Sequence, residues 1–161
     1  MRALVWIVED TWEATVAEAV GFLPADAEIT LLHVAPQDVE TLAAGARHGL
    51  LGRPRHHPPP GPPPPAPLRE ISEEAAAELL AEARSRLGRD ARVESRRGRV
   101  EHEVVAAAEG ADLLVLARDG DRSRLGPHSL GPQARFVVDH APCQVLLVWP
   151  DTPPSVSTAP P

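Results

Sequence analysis

"VLARDGDRSRLGPHSLGPQARFVVDHAPCQVLLVW", residues 115–149, reads as a strand, a glycine-bearing loop, a helix and a second strand. α/β folds use this layout to hold a phosphate: the glycines let the backbone come close to the anion, and the helix opens with free N–H groups. One residue resists that use. Gly131 is followed by Pro132, which carries neither a hydroxyl nor a backbone N–H.

Upstream, "ADLLVLA" (111–117), "ALVWIV" (3–8) and "EITLLHVAP" (28–36) are further apolar runs of strand length, the pattern of strands buried on both faces. "ARVESRRG" (91–98) alternates more and predicts an exposed strand near a sheet edge. Helices are expected between them. Asp10 or Thr11 starts the first, which turns Ala14, Val16, Ala19, Val20 and Leu23 inward and closes at Pro24. Ser72 is the expected cap of the second, residues 72–88, and Gly88 its end. The third, 99–110, faces Val100, Val104, Val105 and Ala108 inward, and the fourth lies within 127–140 with Pro132 in its first turn. Five strands alternating with four helices imply right-handed crossovers and a parallel sheet covered on both faces.

The length of 161 residues fits one domain, 1–150, followed by a tail, 151–161, whose composition predicts disorder. A proline-rich stretch interrupts the domain at 53–67, where nine of fifteen residues are proline. Such density blocks helix and sheet ladders and favours polyproline II, which would reach about 45 Å here. A turn or two of helix is expected just before it. The net charge of −7 argues against nucleic-acid or anionic-membrane partners, which demand a positive face. No apolar run approaches membrane-spanning length, and the lone Cys143 suits a reducing cytoplasm. A cytoplasmic protein is expected.

"ITLLHVAP", "GADLLVLA" and "GPQARFVVDHAPCQVLLV", with the acidic-alanine helix between the first two, resemble the universal stress protein family in content and order, across residues 3–149. The resemblance implies an adenine-nucleotide α-hydrolase-like, doubly wound sheet of strand order 3-2-1-4-5. It implies a stress-response role, and a homodimer that pairs last strands, here Cys143 to Trp149, which would put Trp149 at or near the interface.

Nucleotide-binding members of that family carry G-x2-G-x9-G-[ST] after the fourth strand and an aspartate at the end of the first. Here the first glycine position is Ala117, Gly120 matches the second, and Gly131 matches the third only with a ten-residue spacer. The hydroxyl position is Pro132, and the aspartate position falls on Val8 or Glu9. A hydrogen bond to a charged group contributes about 1.5–3 kcal/mol, so losing two donors at Pro132 costs about 3–6 kcal/mol, or roughly 100- to 10,000-fold in affinity. Arg118, Arg122 and Arg124 offer guanidinium groups as compensation; alternatively Arg118, Asp119, Asp121 and Arg122 make solvated surface pairs. The expectation is therefore a regulatory or interaction module meeting a protein partner, with no cofactor and no tight ATP binding. The alternative is a sensor of ATP or another adenine nucleotide using Val34, Gly120, Gly131 and the loop arginines.

The remaining polar residues point to ordinary roles. His56 and His57 lack a third metal ligand, His33 ends a strand as a hydrogen-bonded histidine, and His102 between two glutamates suits a solvated helix face. His140 suits packing or capping, and Cys143 has no activating motif. No Ser-His-Asp order, carboxylate pair or metal spacing stands out, so no enzyme activity is expected.

Overall fold

The computed structural model describes residues 1–37 and 66–155, with backbone alone described for 66–69. The chain alternates β1 (Arg2–Trp6), α1 (Trp12–Phe22), β2 (Glu28–Pro36), α2 (Ala66–Leu87), β3 (Arg92–Gly98), α3 (Val100–Ala107), β4 (Leu113–Ala117), α4 (Pro132–His140) and β5 (Gln144–Val148). A single 3-10 turn, Pro127–Ser129, lies between β4 and α4.

All four strand pairings are parallel, and the order is β3-β2-β1-β4-β5. β1 is central: Leu4 stands opposite Thr30 of β2 and Leu114 of β4. Successive side chains of a strand point to opposite faces, so β1 feeds two cores. Ala3, Val5 and Ile7 pack with Val16 and Ala19 of α1 and Leu80 and Ala83 of α2. Leu4 and Trp6 pack with Val100 and Val104 of α3 and Ala134 and Val137 of α4. Continuous apolar runs are what such double burial requires; the parallel sheet covered on both faces expected from the alternation, and the doubly wound order implied by the family resemblance, are both observed. The strand order reverses between β1 and β4, which opens a crevice at their C-terminal ends.

The two sheet edges differ. β3 exposes Arg92, Val93 and Ser95 and half-exposes Glu94, Arg96 and Arg97, a charged edge that discourages strand addition. β5 half-exposes Val145, Leu146 and Leu147.

Several boundaries depart from expectation. α2 begins at Ala66, so Ser72 lies inside the helix rather than capping it. Pro67 sits in its first turn, where a missing N–H costs no helical bond. Residues 66 and 67 of the proline-rich stretch thus open α2; the other thirteen, with the short helix expected before them and His56 and His57, lie outside the described residues. In α1, Val20 is 45% exposed and Thr15 is buried instead. The Thr15 hydroxyl donates to the Thr11 carbonyl at 2.9 Å, which satisfies a polar group in the core. Thr11 occupies the N-cap position of α1 without a side-chain capping bond. Among the described residues no helix is long and apolar enough to cross a membrane.

Candidate functional site

The crevice is bordered by the ends of β1 and β2 and by the loop from Arg118 to Leu130. After Ile7 the chain leaves the sheet at Val8, whose carbonyl accepts the amides of Thr11 and Trp12 at 3.0 and 2.9 Å and so begins α1. Val8 is half-buried and Glu9 exposed. The Glu9 carboxylate turns toward β2 and stands 3.7 Å from Nε2 of His33. His33 is buried, and its Nδ1 donates to the Ile7 carbonyl at 3.1 Å, since a carbonyl can only accept. That bond fixes the ring and leaves Nε2 facing the carboxylate. Val34 is 4% exposed and packs in the α3–α4 core layer.

β4 ends at Ala117, which is buried in the α1–α2 layer. Arg118 then extends the pairing by donating its amide to the Val148 carbonyl at 2.9 Å. Its guanidinium donates to the Ser129 hydroxyl and lies 4.6 Å over the Trp149 ring. Ser129 is fully buried, and its hydroxyl donates a hydrogen bond to the Gly126 carbonyl at 2.7 Å. Trp149, expected at a dimer interface, is half-buried and stacks on the loop.

Gly120 lies against the far side of the same loop. Its amide donates to the Ser129 carbonyl at 3.0 Å, and the next amide, Asp121, to the His128 carbonyl at 2.8 Å. A Cβ on Gly120 would overlap the His128 carbonyl oxygen and come within 2.8 Å of the Ser129 carbonyl carbon. Glycine is needed here for the loop to close on itself.

Gly131 repeats the pattern with a charged partner. Its amide donates to Oδ1 of Asp119 at 2.7 Å. A Cβ at this position would stand 2.9 Å from Oδ1 and 3.0 Å from Oδ2, so the carboxylate lies flat against bare backbone. Pro132 follows as the first residue of α4.

The other loop arginines each have a carboxylate. Arg122 meets Asp151 at 3.1 Å and Arg124 meets Asp121 at 2.9 Å. Asp121 also accepts the Ser123 amide at 3.1 Å and the Ser123 hydroxyl, and its carboxyl is held below the usual aspartate range by Ser123 first and Arg124 second. The pairing among Arg118, Asp119, Asp121 and Arg122 considered from sequence takes a different form: Asp121 pairs with Arg124, Arg122 with Asp151, and Asp119 with a backbone amide.

Two grooves reach Pro132, of about 340 and 570 Å³. Their linings include Gly131, Pro132 and Phe136 but none of Val8, Glu9, Val34, Ala117, Arg118 or Gly120. The structure thus brings Arg118, Gly120 and Gly131 together in one self-bonded loop and directs Glu9 to His33. Asp119 is the residue whose part in the crevice sequence reasoning missed; His33 is hydrogen-bonded as expected, with the Glu9 carboxylate as an added neighbour. His102 is exposed as expected but stacks on Phe136 at 5.1 Å between ring centres, and His140 stacks on the other side at 3.9 Å. Among the described residues no cluster of three or more acidic, histidine or cysteine side chains could hold a metal.

A sequence model of the universal stress protein family matches residues 9–148. No curated protein matches the sequence. Solved structures share the fold. Universal stress protein UspA from Lactobacillus plantarum is 23% identical with a TM-score of 0.56, the alignment covering 92% of this chain and 97% of that one. A universal stress protein in complex with cAMP is 15% identical with a TM-score of 0.61, over 94% and 98%. A universal stress protein from Archaeoglobus fulgidus is 16% identical with a TM-score of 0.54, over 92% and 98%.

Proposed function

The chain belongs to the universal stress protein family, and from that membership we propose that it acts in a stress response as a nucleotide-independent, homodimeric interaction module, without a turnover step. One observation carries this reading: the two glycine amides and the three guanidinium groups of the loop that would hold phosphates are engaged within the chain, with the buried Nε of Arg118 left without a partner among the described residues. The Gly120 amide is taken by Ser129, the Gly131 amide by Asp119, and the guanidinium groups of Arg118, Arg122 and Arg124 by Ser129, Asp151 and Asp121. A nucleotide would have to displace these contacts and then meet Pro132, which offers nothing in return.

Proteins of this family often form homodimers. The uneven sheet edges support a dimer through β5: Val145, Leu146 and Leu147 are half-exposed on an edge with unused backbone pairing, whereas β3 presents arginines and a glutamate. The cytoplasm is the compartment that suits this role and the lone thiol.

Sedimentation of the nucleotide-stripped protein with and without ATP and Mg²⁺ tests the proposal. A dimer of unchanged stability in both is expected. Association that depends on the nucleotide would overturn it. The second reading, a sensor of an adenine nucleotide, is supported by the fold shared with the protein solved with cAMP. Under that reading Pro132→Ser would strengthen binding that the unsubstituted protein already shows.

A further inference from the structure

We propose that Asp119 is the residue that sets the crevice against phosphate: its carboxylate occupies the place of the anion at the head of α4. The inference rests on the nucleotide-independent reading above and supplies its cause. Two aspects of one contact support it. The first is the hydrogen bond: a negatively charged oxygen receives the Gly131 amide at 2.7 Å, at the end of the helix where an anion is favoured. The second is shape. The space that a Cβ on Gly131 would fill holds both oxygens of the same carboxylate, within 3.0 Å of that position. A glycine there admits close approach by an anionic group, and the group that approaches belongs to the chain.

The consequence is selective. An incoming phosphate meets a donor already engaged and a fixed negative charge at short range. A neutral nucleoside meets neither. Asp119 therefore discriminates by charge rather than by closing the crevice, and Pro132 acts alongside it by removing a second donor. The two residues should act together: restoring a hydroxyl and an N–H at 132 gains little while the carboxylate remains.

The test compares the unsubstituted protein, Pro132→Ser, Asp119→Asn and the double variant, each titrated with ATP–Mg²⁺, inorganic tripolyphosphate and adenosine. Asparagine keeps the shape and an acceptor oxygen and removes the charge. In the double variant ATP and tripolyphosphate affinity should rise about tenfold or more over Pro132→Ser alone, the scale of one hydrogen bond to a charged group. Adenosine affinity should not change. An equal gain for adenosine, or no gain for either phosphate, would overturn the proposal and leave Asp119 a tie that merely holds the loop. Micromolar ATP binding by the unsubstituted protein would instead overturn the nucleotide-independent reading. If the variants do not fold, the unsubstituted protein still decides the contact. Its Gly131 amide, held by Asp119 at 2.7 Å, should be protected from hydrogen exchange, and exchange as fast as an open loop amide would contradict it.

Discussion

The Arg118 guanidinium lies 4.6 Å over the Trp149 ring, which fastens the loop after β4 to the chain leaving β5. Both backbones are already joined there, since the Arg118 amide donates to the Val148 carbonyl at 2.9 Å. The crevice and the sheet edge proposed for dimerisation therefore share one anchor.

Removing the ring should loosen that anchor. A cation over an indole contributes about 0.5–2 kcal/mol, so Trp149→Ala should cost about 1–2 kcal/mol once lost packing is included. Phenylalanine, a weaker partner, should recover part of it. Chemical denaturation of the three proteins checks the order Trp, Phe, Ala.

The β5 edge gives a second expectation. Val145→Lys should convert the dimer to a monomer, because a charge on an edge strand blocks addition of another. Val93→Lys, on the opposite edge, should leave the dimer intact; Val93 is 41% exposed and its strand is already charged. Analytical ultracentrifugation of both variants reads the result, and a Val145→Lys dimer would move the interface elsewhere.

Much of this fold was legible because double burial leaves a simple trace. "ALVWIV" (3–8) and "LLVLA" (113–117) are apolar at every position since β1 and β4 have helices on both faces. β3 was legible for the opposite reason: at the edge its side chains reach solvent, and the sequence is rich in arginine. Strand order came from family resemblance alone, as no periodicity encodes which strands are neighbours. Thr15 was missed because its hydroxyl is satisfied by a carbonyl one turn back, a contact that spacing does not reveal. Ser72 misled because serine is a frequent cap, whereas α2 had begun six residues earlier with a proline in its first turn. Asp119 was least legible of all. Its partner Gly131 lies twelve residues away, and only the folding of the loop through Gly120 and Ser129 brings them together.

Cys143 should be a slow thiol. Burial first, and then the Asp112 carboxylate, push its pKa up, so less thiolate is present at neutral pH than in a free cysteine. Native protein should react with a disulfide reagent at pH 8 several-fold more slowly than denatured protein. Equal rates would mean the half-buried sulfur is more open than the structure shows.

The loop should also respond to acid. Ser123 and Arg124 hold the Asp121 carboxyl below its ordinary range. A depressed folded value stabilises the protein above the unfolded value and the benefit is lost as pH falls through the folded one, below about pH 4. Ser123→Ala should therefore lower the thermal midpoint at pH 7, and the difference from the unsubstituted protein should vanish in strong acid. A difference independent of pH would assign the effect to packing instead.

On the proposed reading, this crevice does not retain ATP. Calorimetric titration of the nucleotide-stripped protein with ATP and Mg²⁺ tests it most directly. No saturable heat is expected below millimolar ATP, because the Gly131 amide is held by Asp119 and Pro132 has no N–H to offer. Saturation in the micromolar range would contradict it.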